Sequence, residues 1–391
     1  MERSRVQRTE SQTLIEPSVQ STAPSSTAVI DCDVHHSPQA YPVDDRLGAY
    51  LSTRWRSYIE TYGLRSIAET AQLPAHRAVG KGAIARLDSV PPSGGEPGSD
   101  PEFARLQLLD SHGMSAAILN SFGGLGSAFG NMPVALGLEL TRAYNEWTSD
   151  YWLASDPRWR ASICVAFEYP EEAVTEIARC RELSQRFVQV LIPSRTRLPI
   201  GNPHYWPIFE AAEQFDLPIA FHVGFCRATT LTACGAPSYY FENHVDFALH
   251  PLSIIPSLIF EGVFDRFPSL RIVLAELGWA WALPLSWRMD NMWRILRSEV
   301  PHLARRPSEY LTEHIWFTTQ PMVQPSNEGW LVEIIDQFFR SGFRHKLLYS
   351  SDYPHWDFDS PETVLPASLS AAHRSEILAE NASSLYGIPL S

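Results

Sequence analysis

Cysteine is scarce and poorly spaced for cross-linking. The 391-residue chain has five (Cys32, Cys164, Cys180, Cys226 and Cys234), an odd number with no Cys-x-x-Cys pair. A disulfide framework and a structural zinc knuckle are therefore disfavoured, and a reducing cytoplasm is the expected compartment. Long apolar runs are missing too: nothing approaches the roughly 20 apolar residues of a membrane span. The Ser-, Thr- and Gln-rich residues 1–28 hold no run long enough for a signal peptide and read as a disordered tail. Positive charge is in deficit, with 31 Lys and Arg against 44 Asp and Glu, a net formal charge of -13. That leaves no basic footprint, so neither nucleic acid nor an anionic membrane is the expected partner, and a small molecule becomes the default.

What is present can build a large core, since 45% of the residues are hydrophobic and 12% aromatic. Residues 29–391 read as one domain. From Phe103 onward, short apolar runs alternate with amphipathic stretches. The strands expected are Ile30–His35, Ser115–Asn120, Ser162–Ala166, Val188–Ile192, Pro218–His222, Leu270–Ala275, Ile315–Gln320 and Leu347–Asp352. Helices are expected between them, among others over Val134–Leu153, Leu252–Phe267, Trp281–Val300 and Ser375–Leu385. Strands apolar on both faces, joined by helical crossovers, predict an α/β fold of the (β/α)8 TIM-barrel type, with a doubly wound sheet as the alternative. Residues 37–110 break the alternation, and the Pro- and Gly-rich turn at 91–101 marks them as an insertion at the barrel mouth, a lid or a surface excursion.

The chemistry concentrates at strand ends. In Ile30-Asp31-Cys32-Asp33-Val34-His35-His36, residues two apart point the same way, so Asp33 and His35 project together and His36 does not. A carboxylate beside an imidazole suits zinc, iron or manganese. His222, Glu276 and Asp352 close other apolar runs, and a barrel collects such ends on one face. Asp33, His35, His222, Glu276 and Asp352 are thus the candidate ligands of one or two divalent transition-metal ions. Each alone could equally be a capped or hydrogen-bonded strand end.

These motifs, with Ser350-Ser351-Asp352-Tyr353-Pro354-His355 after the last strand, resemble the amidohydrolase superfamily in its aminocarboxymuconate-semialdehyde decarboxylase-like branch. Weaker markers are Ala143-Tyr144-Asn145-Glu146-Trp147 and Trp287-Arg288-Met289-Asp290. The resemblance implies a metal held by Asp33, His35, His222 and Asp352, with Asp33 where many members carry a histidine, and it makes a homodimer the expected assembly. Decarboxylating relatives usually place a catalytic histidine at the end of strand six, where this chain has Glu276.

That departure shifts the expected chemistry toward hydrolysis. Metal-bound water, its pKa lowered from 15.7 toward roughly 7, would attack an ester, thioester or amide of a hydrophobic small molecule. Asp352 would relay the proton, Glu276 would bridge two ions or serve as base, and His244 would polarise the substrate or protonate the leaving group. The alternatives are metal-dependent, non-oxidative decarboxylation of an aromatic or unsaturated acid, and an inactive ligand-binding barrel. Phe122, Tyr239, Tyr240, Trp279, Trp281, Trp356 and Phe358 fall in expected mouth loops and are candidates for an aromatic pocket. Arg288 could clamp a substrate carboxylate or simply hold Asp290 or Glu276. His355 could touch substrate or act behind Asp352, and His250 reads as structural.

Overall fold

A computed structural model describes residues 28–38, 45–63, 85–121, 132–223, 234–235 and 237–390. Eight strands, β1 (Ile30–His35), β2 (Ala116–Asn120), β3 (Trp159–Cys164), β4 (Phe187–Pro193), β5 (Ile219–His222), β6 (Ile272–Ala275), β7 (Ile315–Thr318) and β8 (Leu347–Leu348), form one sheet in sequence order. Every pairing is parallel. The ring closes where Cys32 N donates to Tyr349 O (3.0 Å) and Val34 pairs in parallel with Tyr353. The expected (β/α)8 barrel is the fold.

Strand alternation sorts the apolar residues into two cores. Val34, Leu119, Ile163, Ile192, Phe221, Leu274 and Phe317 face the helices and join the main core. Ile30, Cys32, Ile118, Cys164, Leu191, Ala220, Val273 and Leu348 fill the interior, together with Ala379, Ala382 and Leu385 from the last helices and Ile388 just beyond them. Burial on both faces explains why the strands read as unbroken apolar runs. Among the described residues, no helix is long and apolar enough to cross a membrane.

β1 departs from simple alternation in a way that matters for the site. Cys32 lies in the inner cluster, yet Asp33, the next residue, also turns inward, while Val34 faces the helices. The register against β2 shifts between Asp31 and Val34, as expected of a bulge, which adds one residue and reverses the side-chain phase. Asp31 secures it, its Oδ1 accepting from Asp33 N (3.1 Å) and Ser351 N (3.0 Å).

Several boundaries differ from those read in the sequence, each for a local reason. β8 spans only Leu347–Leu348, because the chain leaves the ladder and Asp352 takes a left-handed conformation, φ 61°. The helix expected over Leu252–Phe267 is two, Pro251–Phe260 and Val263–Arg266, parted by Gly262 at φ 76°. Val134–Trp147 continues through a π-helical turn to Leu153, and Ala282–Ile295 stops short of Val300. Within 37–110, described helices cover Asp45–Gly48, Thr53–Tyr62 and Pro101–Ala104, the last capped by Asp100. The far end of this segment lies on the mouth: Arg86 N donates to Pro354 O (2.8 Å) and Ser37 N to Gly98 O (2.9 Å).

Candidate metal centre

The β1 bulge, the last residue of β5, the first residue after β6 and the turn after β8 bring five polar side chains together. Asp33, His35, His222, Glu276 and Asp352 are all 5% exposed or less. His222 Nε2 lies 3.1 Å from Asp33 Oδ2 and 3.5 Å from Glu276 Oε2, and His35 Nε2 lies 3.4 Å from Asp33 Oδ1 and 2.9 Å from Asp352 Oδ1. Donor atoms of Asp33, His35, His222 and Glu276 all fall within 4.8 Å of one another. Asp352 joins them through His35.

The backbone decides which ring nitrogens face inward. His35 Nδ1 contacts Asn120 O (3.2 Å) and His222 Nδ1 contacts Val223 O (2.8 Å). A carbonyl only accepts, so each Nδ1 carries a hydrogen and each Nε2 is turned toward the carboxylates of the centre, where a cation would take the place of a proton as in metal-ligating imidazoles. Glu276 and Asp352 both sit in left-handed backbone, φ 57° and 61°, a strained state for non-glycine residues that is typical of functional positions. Glu276 N is held by Thr318 Oγ1 (3.0 Å) and Asp352 N by Asp33 O (3.1 Å).

The site's electrostatics ask for a cation. Burial pushes Glu276 well above the ordinary carboxyl range against the pull of His222, and burial pushes Asp352 up as well, reinforced by Glu276, Asp357 and Asp33. Burial also resists ionisation of Asp33, but His222 and His35 hold it well below the usual range. For His222, burial opposes the charge while Asp33 and Glu276 lift its pKa to about 9. Glu276 Oε2 is buried and accepts no hydrogen bond among the described residues. Two imidazoles and three crowded carboxylates are a donor set that a divalent ion would neutralise.

A second group of residues backs the centre. His355 Nδ1 lies 2.6 Å from Asp352 Oδ1, and its ring stacks 4.4 Å from that of His35. Donor atoms of His35, Asp352 and His355 lie within 4.8 Å of one another, so His355 belongs to the same cluster. Asn120 Nδ2 donates to Asp33 Oδ1 (2.6 Å). Gln320 Nε2 donates to Asp357 Oδ2 (2.9 Å) and, at 3.3 Å, to Asp352 Oδ2. His244, on the helix Tyr240–Asp246, reaches Asp357 Oδ2 with Nε2 at 2.8 Å, and donor atoms of His244, Glu276 and Asp357 lie within 4.8 Å of one another. Sequence reasoning missed Asn120, Gln320 and Asp357. The first two carry the signal that found the others, a polar residue at the end of an apolar run; Asp357 sits in an irregular turn and carries none.

The aromatic candidates separate. Tyr240 and Trp356 have rings 6.1 and 5.7 Å from that of His244. Trp279 does not line the mouth: it is fully buried, edge-on to Phe338 at 5.1 Å, because the turn after Glu276 swings it into the core outside the barrel. Trp281 likewise packs on Phe317. Arg288 is exposed on the helix Ala282–Ile295 and clamps nothing at the mouth, while Asp290 accepts from Ser308 N (2.9 Å). Phe122 lies outside the described residues. His36 turns away as expected, 2.8 Å from Thr148 Oγ1 and stacked on Trp147.

The amidohydrolase family model matches residues 30–388. The chain belongs to the amidohydrolase family. It is 26% identical over 305 residues to a gamma-resorcylate decarboxylase of Polaromonas sp. strain JS666, covering 73% of this chain and 87% of that one. A gamma-resorcylate decarboxylase of Rhodococcus jostii strain RHA1 is 25% identical over 312 residues, covering 73% and 88%. These relatives place this amidohydrolase in the aminocarboxymuconate-semialdehyde decarboxylase-like branch. Among solved structures, 5-carboxyvanillate decarboxylase from Novosphingobium aromaticivorans, complexed with manganese and 4-hydroxy-3-methoxy-5-nitrobenzoic acid, superposes with a TM-score of 0.65 at 19% identity, over 93% of this chain and 96% of that one.

The expectation of ester, thioester or amide hydrolysis is corrected by these relatives, which are decarboxylases. It leaned on the missing histidine after β6. The fold supplies an imidazole at the same mouth from the loop after β5, where His244 stands beside Glu276. Of the metals expected, manganese is the one that the solved 5-carboxyvanillate decarboxylase holds.

Proposed function

We propose that this amidohydrolase is a metal-dependent, non-oxidative decarboxylase of a hydroxylated aromatic carboxylic acid. The activity of its curated relatives over most of their length carries the reading, and the buried two-imidazole, three-carboxylate centre supports it. Asp33, His35, His222 and Asp352 would hold the cation, with Glu276 at its edge. A divalent ion there, manganese being the best-supported choice, supplies positive charge that holds and polarises oxygen atoms of an acidic substrate.

The remaining work falls to side chains. As the bond to the carboxylate breaks, its electron pair stays on the ring carbon, carbon dioxide leaves, and one proton takes the vacated position; no redox partner is needed. His244 is the proton carrier in this scheme. Its imidazole is 19% exposed at the mouth, so it can exchange protons with solvent, and Asp357, positioned by Gln320, orients it. Burial opposes charge on Asp357, yet the hydrogen bond from His244 holds its carboxyl below the usual range. Tyr240 and Trp356, beside His244, offer flat apolar surface to an aromatic ring.

The test is carbon dioxide release from manganese-loaded protein given dihydroxybenzoates, carboxyvanillate and related hydroxybenzoates. Stoichiometric carbon dioxide and decarboxylated arene from at least one member is the expected result. No release across the panel from a protein that holds its metal contradicts the proposal.

A further inference from the structure

Beneath the centre, a run of hydrogen bonds crosses the barrel interior from the last helix to Asp33. Tyr386, in the helix Asn381–Tyr386, donates its hydroxyl to Gln189 Oε1 (2.7 Å). Gln189 Nε2 donates to Ser162 Oγ (2.8 Å) and, at 3.4 Å, to Asn120 Oδ1. Ser162 Oγ donates to Asn120 Oδ1 (2.5 Å), and Asn120 Nδ2 donates to Asp33 Oδ1 (2.6 Å). Tyr386 is partly exposed, but Gln189, Ser162, Asn120 and Asp33 are each 3% exposed or less, so water does not satisfy them in passing.

Every bond in the run points the same way. An amide has one accepting and one donating end, and an ionised carboxylate only accepts. Because Tyr386 occupies the oxygen of Gln189, the amide nitrogen must face Ser162. Because Ser162 and Gln189 occupy the oxygen of Asn120, its nitrogen must face Asp33. The direction is set from the Asp33 end, since the carboxylate only accepts while the phenol and hydroxyl can do either; the run in return pins Oδ1 and leaves Oδ2 toward His222 at 3.1 Å. A carboxylate ligand, unlike an imidazole, can rotate between one-oxygen and two-oxygen binding, and an amide pinned to one oxygen limits that freedom.

We propose that Tyr386, Gln189, Ser162 and Asn120 are positioning residues that fix the rotation of the Asp33 carboxylate for cation binding, so that docking of the C-terminal helix is coupled to metal affinity. The inference rests on Asp33 being a metal ligand. None of the four touches substrate in this scheme. Outer partners of metal ligands typically change affinity about 10–100-fold when removed.

The experiment measures manganese dissociation constants by titration of metal-free full-length protein, alongside thermal midpoints. Tyr386→Phe should weaken manganese binding about tenfold or more. Adding Gln189→Met removes the other partner of that bond, so the thermal midpoint should recover toward the wild-type value while the weakened metal binding persists. Ile177→Ala, in the main core on the helix Pro170–Leu183 away from the column, should lower the midpoint without moving the dissociation constant. Unchanged manganese affinity in Tyr386→Phe overturns the proposal. So does affinity that merely tracks the thermal midpoint across all three variants. A wild-type chain that takes up no manganese overturns the metal reading itself, and the column with it.

Discussion

His250 shows how one residue's surroundings become a pH dependence. Arg195 points Nε at the Nε2 of this ring (3.0 Å) and Nη2 as well (2.7 Å), and a guanidinium only donates. Nε2 must therefore accept, Nδ1 carries the hydrogen, and Ser194 Oγ takes it at 2.6 Å. Burial, with Arg195 adding to it, pulls the imidazole down to about 4 despite Asp246. In the unfolded chain the group titrates near 6.5. Between those values the unfolded state binds a proton that the folded state refuses, so stability falls as pH drops from about 6.5 to about 4 and is intact above that window. Denaturant unfolding at pH 7, 5.5 and 4.5 should show a shallower acid loss in His250→Gln than in the wild type. Parallel curves would show that His250 has no part in it.

At the scale of elements, the mouth depends on how the end of β1 is held. Gly98, at φ 74°, packs so closely that an added Cβ would lie 2.7 Å from His35 O. Gly94 has a similar φ of 85° but open space around it. Gly98→Ala and Gly94→Ala should each pay a left-handed penalty of about 1–2 kcal/mol, read as a lowered thermal midpoint. Only Gly98→Ala should also displace His35 and reduce manganese uptake. Equal uptake in the two variants would mean that the segment packed on β1 does not position the site. The elements also show where sequence reading stops. The inward pairing of Asp33 and His35 follows from alternation, but the bulge that turns both Cys32 and Asp33 inward does not, because it depends on how β1 meets β2. Glu276 and Asp352 stand at the expected strand ends, yet their left-handed backbone is imposed by tertiary contacts and leaves no mark on residue type.

For the whole molecule, eight apolar runs alternating with helical stretches were enough to specify the barrel, and the barrel was enough to predict that residues from Asp33 to Asp352 share one mouth. The chemistry was less legible. A cation flanked by imidazoles and carboxylates suits both hydrolysis and decarboxylation, and His244 and Asp357, 113 positions apart, meet only through folding. Trp279 illustrates the same limit, since a mouth loop can send an aromatic into the core as readily as into the pocket. The claim on which the rest depends is that one divalent ion sits among these groups. Diffraction from manganese-loaded crystals on both sides of the manganese absorption edge tests it most directly. The expected result is an anomalous peak bonded to Asp33, His35, His222 and Asp352 with Glu276 alongside; a peak elsewhere, or none after loading, would contradict it.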